Sequence, residues 1–243
     1  MTTNLLPYAS RLFNSLVEVV LPIHCPGCGR GSKYLCPDCL GSFPKLELPF
    51  CDICADPGMH GVCRSCKELQ NSEALAIQGI RAPYLMDGLV REAVHSFKYR
   101  NFRVAAPALA SALAQYLNEN PLPGAVLAPV PLHRKKLRER GYNQSNLLAR
   151  ELAKATGIPV ESNLLARTRH SPAQAFSASR QQRRDNIREA FKCRRDISGQ
   201  GIILVDDVCT TGSTLNACAL ALKEGGACSV WGLALARERL RGV

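Results

Sequence analysis

No apolar run in this 243-residue chain is long enough to cross a bilayer. The stretch that comes nearest, TNLLPYASRLFNSLVEVVLPI near the N-terminus, carries Arg11 and Glu18 inside its apolar positions. That excludes a membrane span or the apolar core of a signal peptide. The chain has no GxxxxGK[ST] run, which excludes a Walker-type nucleotide loop, and no GxGxxG after a strand, which excludes the dinucleotide fingerprint. Aromatic residues make up 6% of the chain, with one Trp. In the cysteine-rich region only Tyr34, Phe43 and Phe50 could stack on nucleic-acid bases. Acidic residues are also scarce: 20 Asp and Glu against 31 Lys and Arg leave a formal net charge of +11, which points to anionic partners such as nucleic acid, phosphates or pyrophosphates.

Cysteine is abundant. Eight of the twelve lie between Cys25 and Cys66, as four CxxC pairs: Cys25/Cys28, Cys36/Cys39, Cys51/Cys54 and Cys63/Cys66. Two such knuckles complete one tetrahedral four-cysteine zinc site, so four knuckles predict two structural Zn2+ ions. The competing reading is a disulfide framework. A chain of this size has no need of stapling, and without a signal peptide the expected compartment is the reducing cytoplasm. Loop-closure entropy mildly favours pairing consecutive knuckles, and interleaved pairing stays open. Two occupied sites would bring the net charge to about +7, still basic.

Residues 1–23 read as a short amphipathic helix, with Leu12, Phe13, Leu16, Val17, Val19 and Val20 near helical spacing. Residues 24–70 read as a double zinc ribbon, and beyond them apolar runs alternate with amphipathic stretches. Strands are expected at Gly79 to Leu85 and Gly124 to Val130, and helices at Gly88 to Tyr99, Pro107 to Asn118 and Ser145 to Ala155. PVPLHRKKLRERGYNQ reads as a loop, with strand-like segments around Ile158 to Leu165 and Ala190 to Cys193. The chain then closes with strand Gly201 to Val205, helix Thr214 to Lys223 and strand Ala227 to Ala236. Alternating strands and helices over 79–239 predict an α/β domain with a doubly wound, mostly parallel sheet.

The stretch GIILVDDVCTTGST, Gly201 to Thr214, combines a buried strand, two adjacent carboxylates and a loop rich in hydroxyls and backbone N–H groups. Ligands of open parallel sheets bind beyond the carboxyl ends of the strands. The loop suits a phosphate on a helix N-terminus, with Gly212 free to adopt a positive φ. Asp206 and Asp207 need a different ligand. Vicinal ribose hydroxyls offer two donors, and Mg2+ on the ligand would offset the negative charge. The plainer alternative is a strand end followed by a helix cap.

ILVDDVCTTGST resembles the ribose-phosphate motif of type I phosphoribosyltransferases. With FKYRNF, PVPLHRKKLRERGYNQSNLLA, RTRHSPAQAFSASRQQRRDNIREAF and the four CxxC pairs, the chain resembles the ComF/GntX family from Cys25 to Trp231. The resemblance implies binding of phosphoribosyl pyrophosphate (PRPP) with Mg2+. Asp206 and Asp207 would meet the ribose hydroxyls, and Thr210, Thr211, Gly212, Ser213 and Thr214 the 5′-phosphate. Lys98, Arg100, His133, Arg134 and Arg140 would serve the pyrophosphate, and Arg169, Gln174 and Arg180 would lie on an arginine-rich hood. For the pyrophosphate candidates a solvated face is the competing reading, and for the hood a basic nucleic-acid surface or a mobile loop.

A phosphoribosyltransferase releasing pyrophosphate through an oxocarbenium-like transition state is the implied enzyme. The resemblance also implies a role in natural competence and imported DNA, with single-stranded DNA or other competence and DNA-processing proteins as partners. A zinc-ribbon nucleic-acid binder that keeps the fold without transferase activity is the alternative.

Overall fold

The two cysteine knuckle pairs fold alike because they repeat the same backbone bonds. In the computed structural model, which describes residues 24–31, 34–99, 102–168 and 190–239, Cys25 O accepts from Gly29 N–H and Cys51 O from Ala55 N–H, at 2.8 and 2.9 Å. Cys36 N–H points at Cys25 Sγ (3.5 Å) and Cys63 N–H at Cys51 Sγ (3.3 Å). Cys36 and Cys63 then stand at the N-caps of short helices, α1 (Pro37–Gly41) and α2 (Arg64–Asn71).

The compact units of the chain divide at Ser42 and Phe43, between the two ribbons. The described part of the first unit is the first ribbon. The second unit holds the second ribbon and everything that follows. Its cysteines are core residues: Cys51, Cys54, Cys63 and Cys66 are buried in one cluster with Ile77, Ile80, Ile202, Leu204, Leu215 and Leu222. The knuckle also joins the sheet through its backbone, Ile80 N–H donating to Ile53 O at 2.6 Å. The ribbon region read as residues 24–70 contains the boundary between the compact units. Its second half has apolar neighbours on the sheet, and its first half does not belong to that core.

The main sheet is parallel throughout. It places β1 (Gly79–Arg81), β7 (Ser229–Arg237), β6 (Gly201–Cys209) and β3 (Val126–Pro129) side by side in that order, and β2 (Tyr84–Leu85) also pairs with β7. The strand expected over Gly79 to Leu85 is thus two strands. Ala82-Pro83 interrupts it, as a proline without an N–H must. Helices α3 (Gly88–Tyr99), α4 (Ala106–Glu119), α6 (Gln144–Thr156) and α7 (Ser213–Glu224) lie within a residue or two of expectation. Alternate residues of β6 face opposite sides. Ile202 and Leu204 join the core beneath α7, and α6 packs on β3 and β6.

Three expectations are corrected. PVPLHRKKLRERGYNQ is not a plain loop, because Arg134–Arg140 forms helix α5, closed by Gly141 at φ 73°. The strand expected around Ile158 to Leu165 shrinks to a single parallel bridge of Val160 with Leu127 of β3, and the next strand is β4 (Leu165–Arg167), antiparallel to β5 (Phe191–Cys193) in a separate two-stranded sheet. Finally, β6 does not end before its aspartates but runs on through Cys209, held by β7. The expected N-terminal helix over 1–23 lies outside the described residues.

Candidate functional site

β6 outruns β3. Pro129 pairs with Val205, and beyond that point β7 is the only strand beside β6 among the described residues, with Asp206 opposite Ala234. The two aspartates lie where one side of the strand opens. They sit inside the strand, so they project to opposite faces rather than together. Asp207, 3% exposed, pairs with Lys98 Nζ of α3 at 3.1 Å. Asp206 Oδ1 accepts from Ser145 Oγ at 2.8 Å and from Asp207 N–H at 2.9 Å. Burial, then the charge of Asp207, pushes the Asp206 carboxyl up to about 7, while the Ser145 hydroxyl and Lys98 act in the opposite direction.

The segment Gly141 to Ser145 builds this arrangement. Gly141 ends α5, and the Tyr142 hydroxyl, in the interior, donates to the Phe97 carbonyl of α3. Asn143 Oδ1 caps α6 by accepting from Ser145 N–H at 3.1 Å, and Asn143 Nδ2 donates to Val130 O at 3.0 Å, just past the end of β3. The cap places Ser145 against Asp206. Sequence reasoning did not single out Ser145, although it lies inside the block GYNQS that carries the family resemblance.

The loop after β6 behaves as its composition suggests. Gly212 is the N-cap of α7 at φ 79°, a conformation that favours glycine. Thr210, Thr211, Ser213 and Thr214 are exposed. Thr211 Oγ1 and Ser213 Oγ lie 2.7 Å apart, and Ser213 N–H turns toward Thr211 Oγ1 at 3.3 Å. A twelve-residue helix thus starts with hydroxyls and its positive dipole end facing outward.

The cationic candidates separate. Lys98 and Arg140 line one cavity of about 380 Å3 with Tyr99, Lys136 and Glu139. Arg140 donates to Gln144 Oε1 (3.1 Å) and Tyr99 OH (3.2 Å), and its guanidinium lies over the Tyr99 ring at 4.7 Å. Lys136, absent from the sequence candidates, is brought there by α5. His133 is the N-cap of α5, its Nδ1 accepting from Lys135 N–H at 3.2 Å, and Arg134 is exposed at the start of that helix. Neither belongs to the residues lining the cavity. Arg100, Arg169, Gln174 and Arg180 lie outside the described residues.

The metal-binding sets are consecutive, which settles the pairing left open by spacing. Cys25, Cys28, Cys36 and Cys39 form one set and Cys51, Cys54, Cys63 and Cys66 the other, with sulfurs within 4.8 Å of one another in each. Cys28 Sγ to Cys36 Sγ and Cys54 Sγ to Cys63 Sγ are both 3.7 Å. Four sulfurs about 2.3 Å from a tetrahedral zinc would be about 3.8 Å apart, far beyond a disulfide bond. Both sets fit Zn2+. Hydrogen bonding from Cys66, with smaller help from Asp56 N–H and the Arg237 charge, holds the Cys54 thiol down at about 5 against the cost of burial. The first set is open at Cys28, whereas all four ligands of the second are buried.

A phosphoribosyl transferase domain matches residues 138–239 and a double zinc ribbon domain residues 16–70. Competence protein F of Haemophilus influenzae is 31% identical over 231 residues, covering 88% of this chain and 96% of that protein. The chain belongs to the ComF/GntX family. Within the family, competence protein ComFC of Bacillus subtilis is 28% identical over 86% of each chain. DNA utilization protein YhgH of Escherichia coli O6:H1 is 32% identical over 85% of each. The fold is accordingly that of a type I phosphoribosyltransferase preceded by cysteine ribbons. Among the described residues no helix is long and apolar enough to cross a membrane.

Proposed function

We propose that this ComF-family protein binds PRPP with Mg2+ along the open side of β6 and serves the use of imported DNA. One observation carries the binding reading. A carboxylate pair, a lysine that joins it to a basic cavity, and an exposed hydroxyl loop at a helix N-terminus follow one another around the end of a single strand.

The residues divide by the chemistry of the ligand. Thr210 to Thr214 hold the 5′-phosphate through N–H groups and hydroxyls. Asp206 faces the ribose hydroxyls, while Asp207 anchors Lys98 at the rim of the cavity that takes the pyrophosphate, with Lys136 and Arg140. Mg2+ would offset charge between the pyrophosphate and the acid pair. If pyrophosphate leaves, positive charge develops at ribose C1, and the Asp206 carboxylate stabilises it electrostatically. The role in DNA use rests on the names of the relatives, and the net charge of +11 favours direct contact with nucleic acid as a further part of it.

Calorimetric titration with PRPP, with and without Mg2+, tests the reading. Binding should need Mg2+. Asp206→Asn, which keeps the shape and removes the charge, should weaken it about tenfold to a hundredfold, the range for one charged hydrogen bond. Equal affinity in the folded variant would remove the ribose assignment. Salt-dependent binding of single-stranded DNA, indifferent to PRPP, would favour the nucleic-acid reading.

A further inference from the structure

We propose that Arg237 couples the second cysteine site to the phosphate loop, so that Zn2+ held by Cys51, Cys54, Cys63 and Cys66 and a phosphate held by residues 210–214 strengthen each other's binding. The inference rests on the phosphate reading of that loop and deepens it.

Arg237 ends β7 and is fully buried. A guanidinium stays charged, so every donor needs a partner and the charge needs an anion. Its donors divide between two structures. Toward the ribbon, Nε donates to Cys54 O at 2.8 Å, and Nη2 lies 3.3 Å from Asp56 Oδ1 and 3.9 Å from Cys54 Sγ. Toward the loop, Nη1 donates to Cys209 O at 3.3 Å and to the Thr210 carbonyl. Nη1 also reaches Glu238 O at 2.5 Å, closing the chain beyond β7. One planar group therefore fixes both the knuckle that carries a metal ligand and the first residue of the phosphate loop.

The contact at Gly212 is independent of Arg237 and points the same way. A Cβ on Gly212 would meet Ile80 Cδ1 at 2.9 Å and Cys54 Cβ at 3.8 Å. The turn of the loop thus rests on the knuckle. A zinc centre of four thiolates carries two net negative charges, and an N–H aimed at a ligating sulfur orients that ligand. With the metal bound, Cys54 is a rigid floor for the loop and a fixed acceptor for Arg237. Without it, the Cys54 knuckle loses its fixed position, and through Arg237 the Cys209 and Thr210 carbonyls lose a fixed donor. Coupling between two sites is reciprocal, so the phosphate must also help to hold the zinc.

The test uses the full-length Cys25→Ser/Cys28→Ser protein, in which the remaining zinc is that of the second site. Its zinc affinity is measured by competition with a chromophoric chelator, in Mg2+ with and without saturating PRPP. PRPP should tighten zinc binding by about tenfold, within the usual range of such coupling. Arg237→Lys, and the milder Asp56→Asn should the first fail to fold, should bring that factor close to one while the stoichiometry stays at one zinc. A purely structural arginine would leave the ratio unchanged. PRPP binding with unaltered zinc affinity overturns the coupling and leaves the phosphate loop standing. No PRPP binding at all overturns both.

Discussion

Ser145 Oγ donates to Asp206 Oδ1 at 2.8 Å across 61 positions of sequence, joining the first turn of α6 to an inner strand of the sheet. This bond lowers a carboxyl that burial and Asp207 raise to about 7. An ordinary aspartate titrates near 4, so the folded protein holds a proton that the unfolded chain has lost between roughly pH 4 and 7. Stability contributed at Asp206 must therefore fall as pH rises through that window and level off above it. Asp206→Asn escapes the penalty. The melting temperature of the variant minus that of the wild type should grow from pH 5 to pH 8 in the absence of ligand, and a gap independent of pH would contradict this.

Asp207 and Lys98 form the other half of the site, at 3.1 Å with side chains 4% and 20% exposed. Removing one partner leaves an uncompensated charge out of water. Asp207→Asn should cost about 2 kcal/mol in denaturant unfolding, below the usual figure for a fully buried pair because Lys98 keeps some solvent. Adding Lys98→Met should recover part of the loss. A double variant as unstable as the sum of the two singles would show that the pair is not coupled.

The two metal sites should part company under a chelator. Cys28 is exposed, whereas Cys51, Cys54, Cys63 and Cys66 are buried in the core of the larger unit. One zinc should leave readily and the other only with unfolding. Cys63→Ser should lower the main thermal transition by many degrees, and Cys36→Ser should shift it little. Equal effects in the two variants, read by calorimetry and metal analysis, would contradict the unequal burial.

Gly212→Ala places a Cβ 2.9 Å from Ile80 Cδ1 on a residue at φ 79°. The left-handed conformation alone costs an alanine about 1 kcal/mol, and the contact adds to it. The variant should be less stable by about 1–2 kcal/mol and should lose PRPP affinity, while Gly199→Ala, also at positive φ but with open space around it, should lose stability and keep affinity.

The sequence by itself determined the elements that announce themselves locally. Four CxxC pairs specify two four-cysteine sets whatever the fold around them, because the ligand spacing is set by the metal. Apolar periodicity placed α3, α4, α6 and α7, and Val-Asp-Asp followed by Thr-Thr-Gly-Ser-Thr located the strand and the loop after it. Residues 134–140 were hidden because a highly charged, short helix has no apolar stripe to reveal it, and α5 buries none of its residues.

Tertiary structure alone decided which partners each site residue meets. Asp206 and Asp207 are adjacent in sequence, yet the pleat separates them, giving one to Ser145 and the other to Lys98. The second ribbon reads like the first, but its apolar neighbours Ile53 and Ala55 find the sheet, and a buried arginine 183 positions away closes on Cys54 O. Such pairings depend on which distant surfaces share a core, and local spacing carries no record of that.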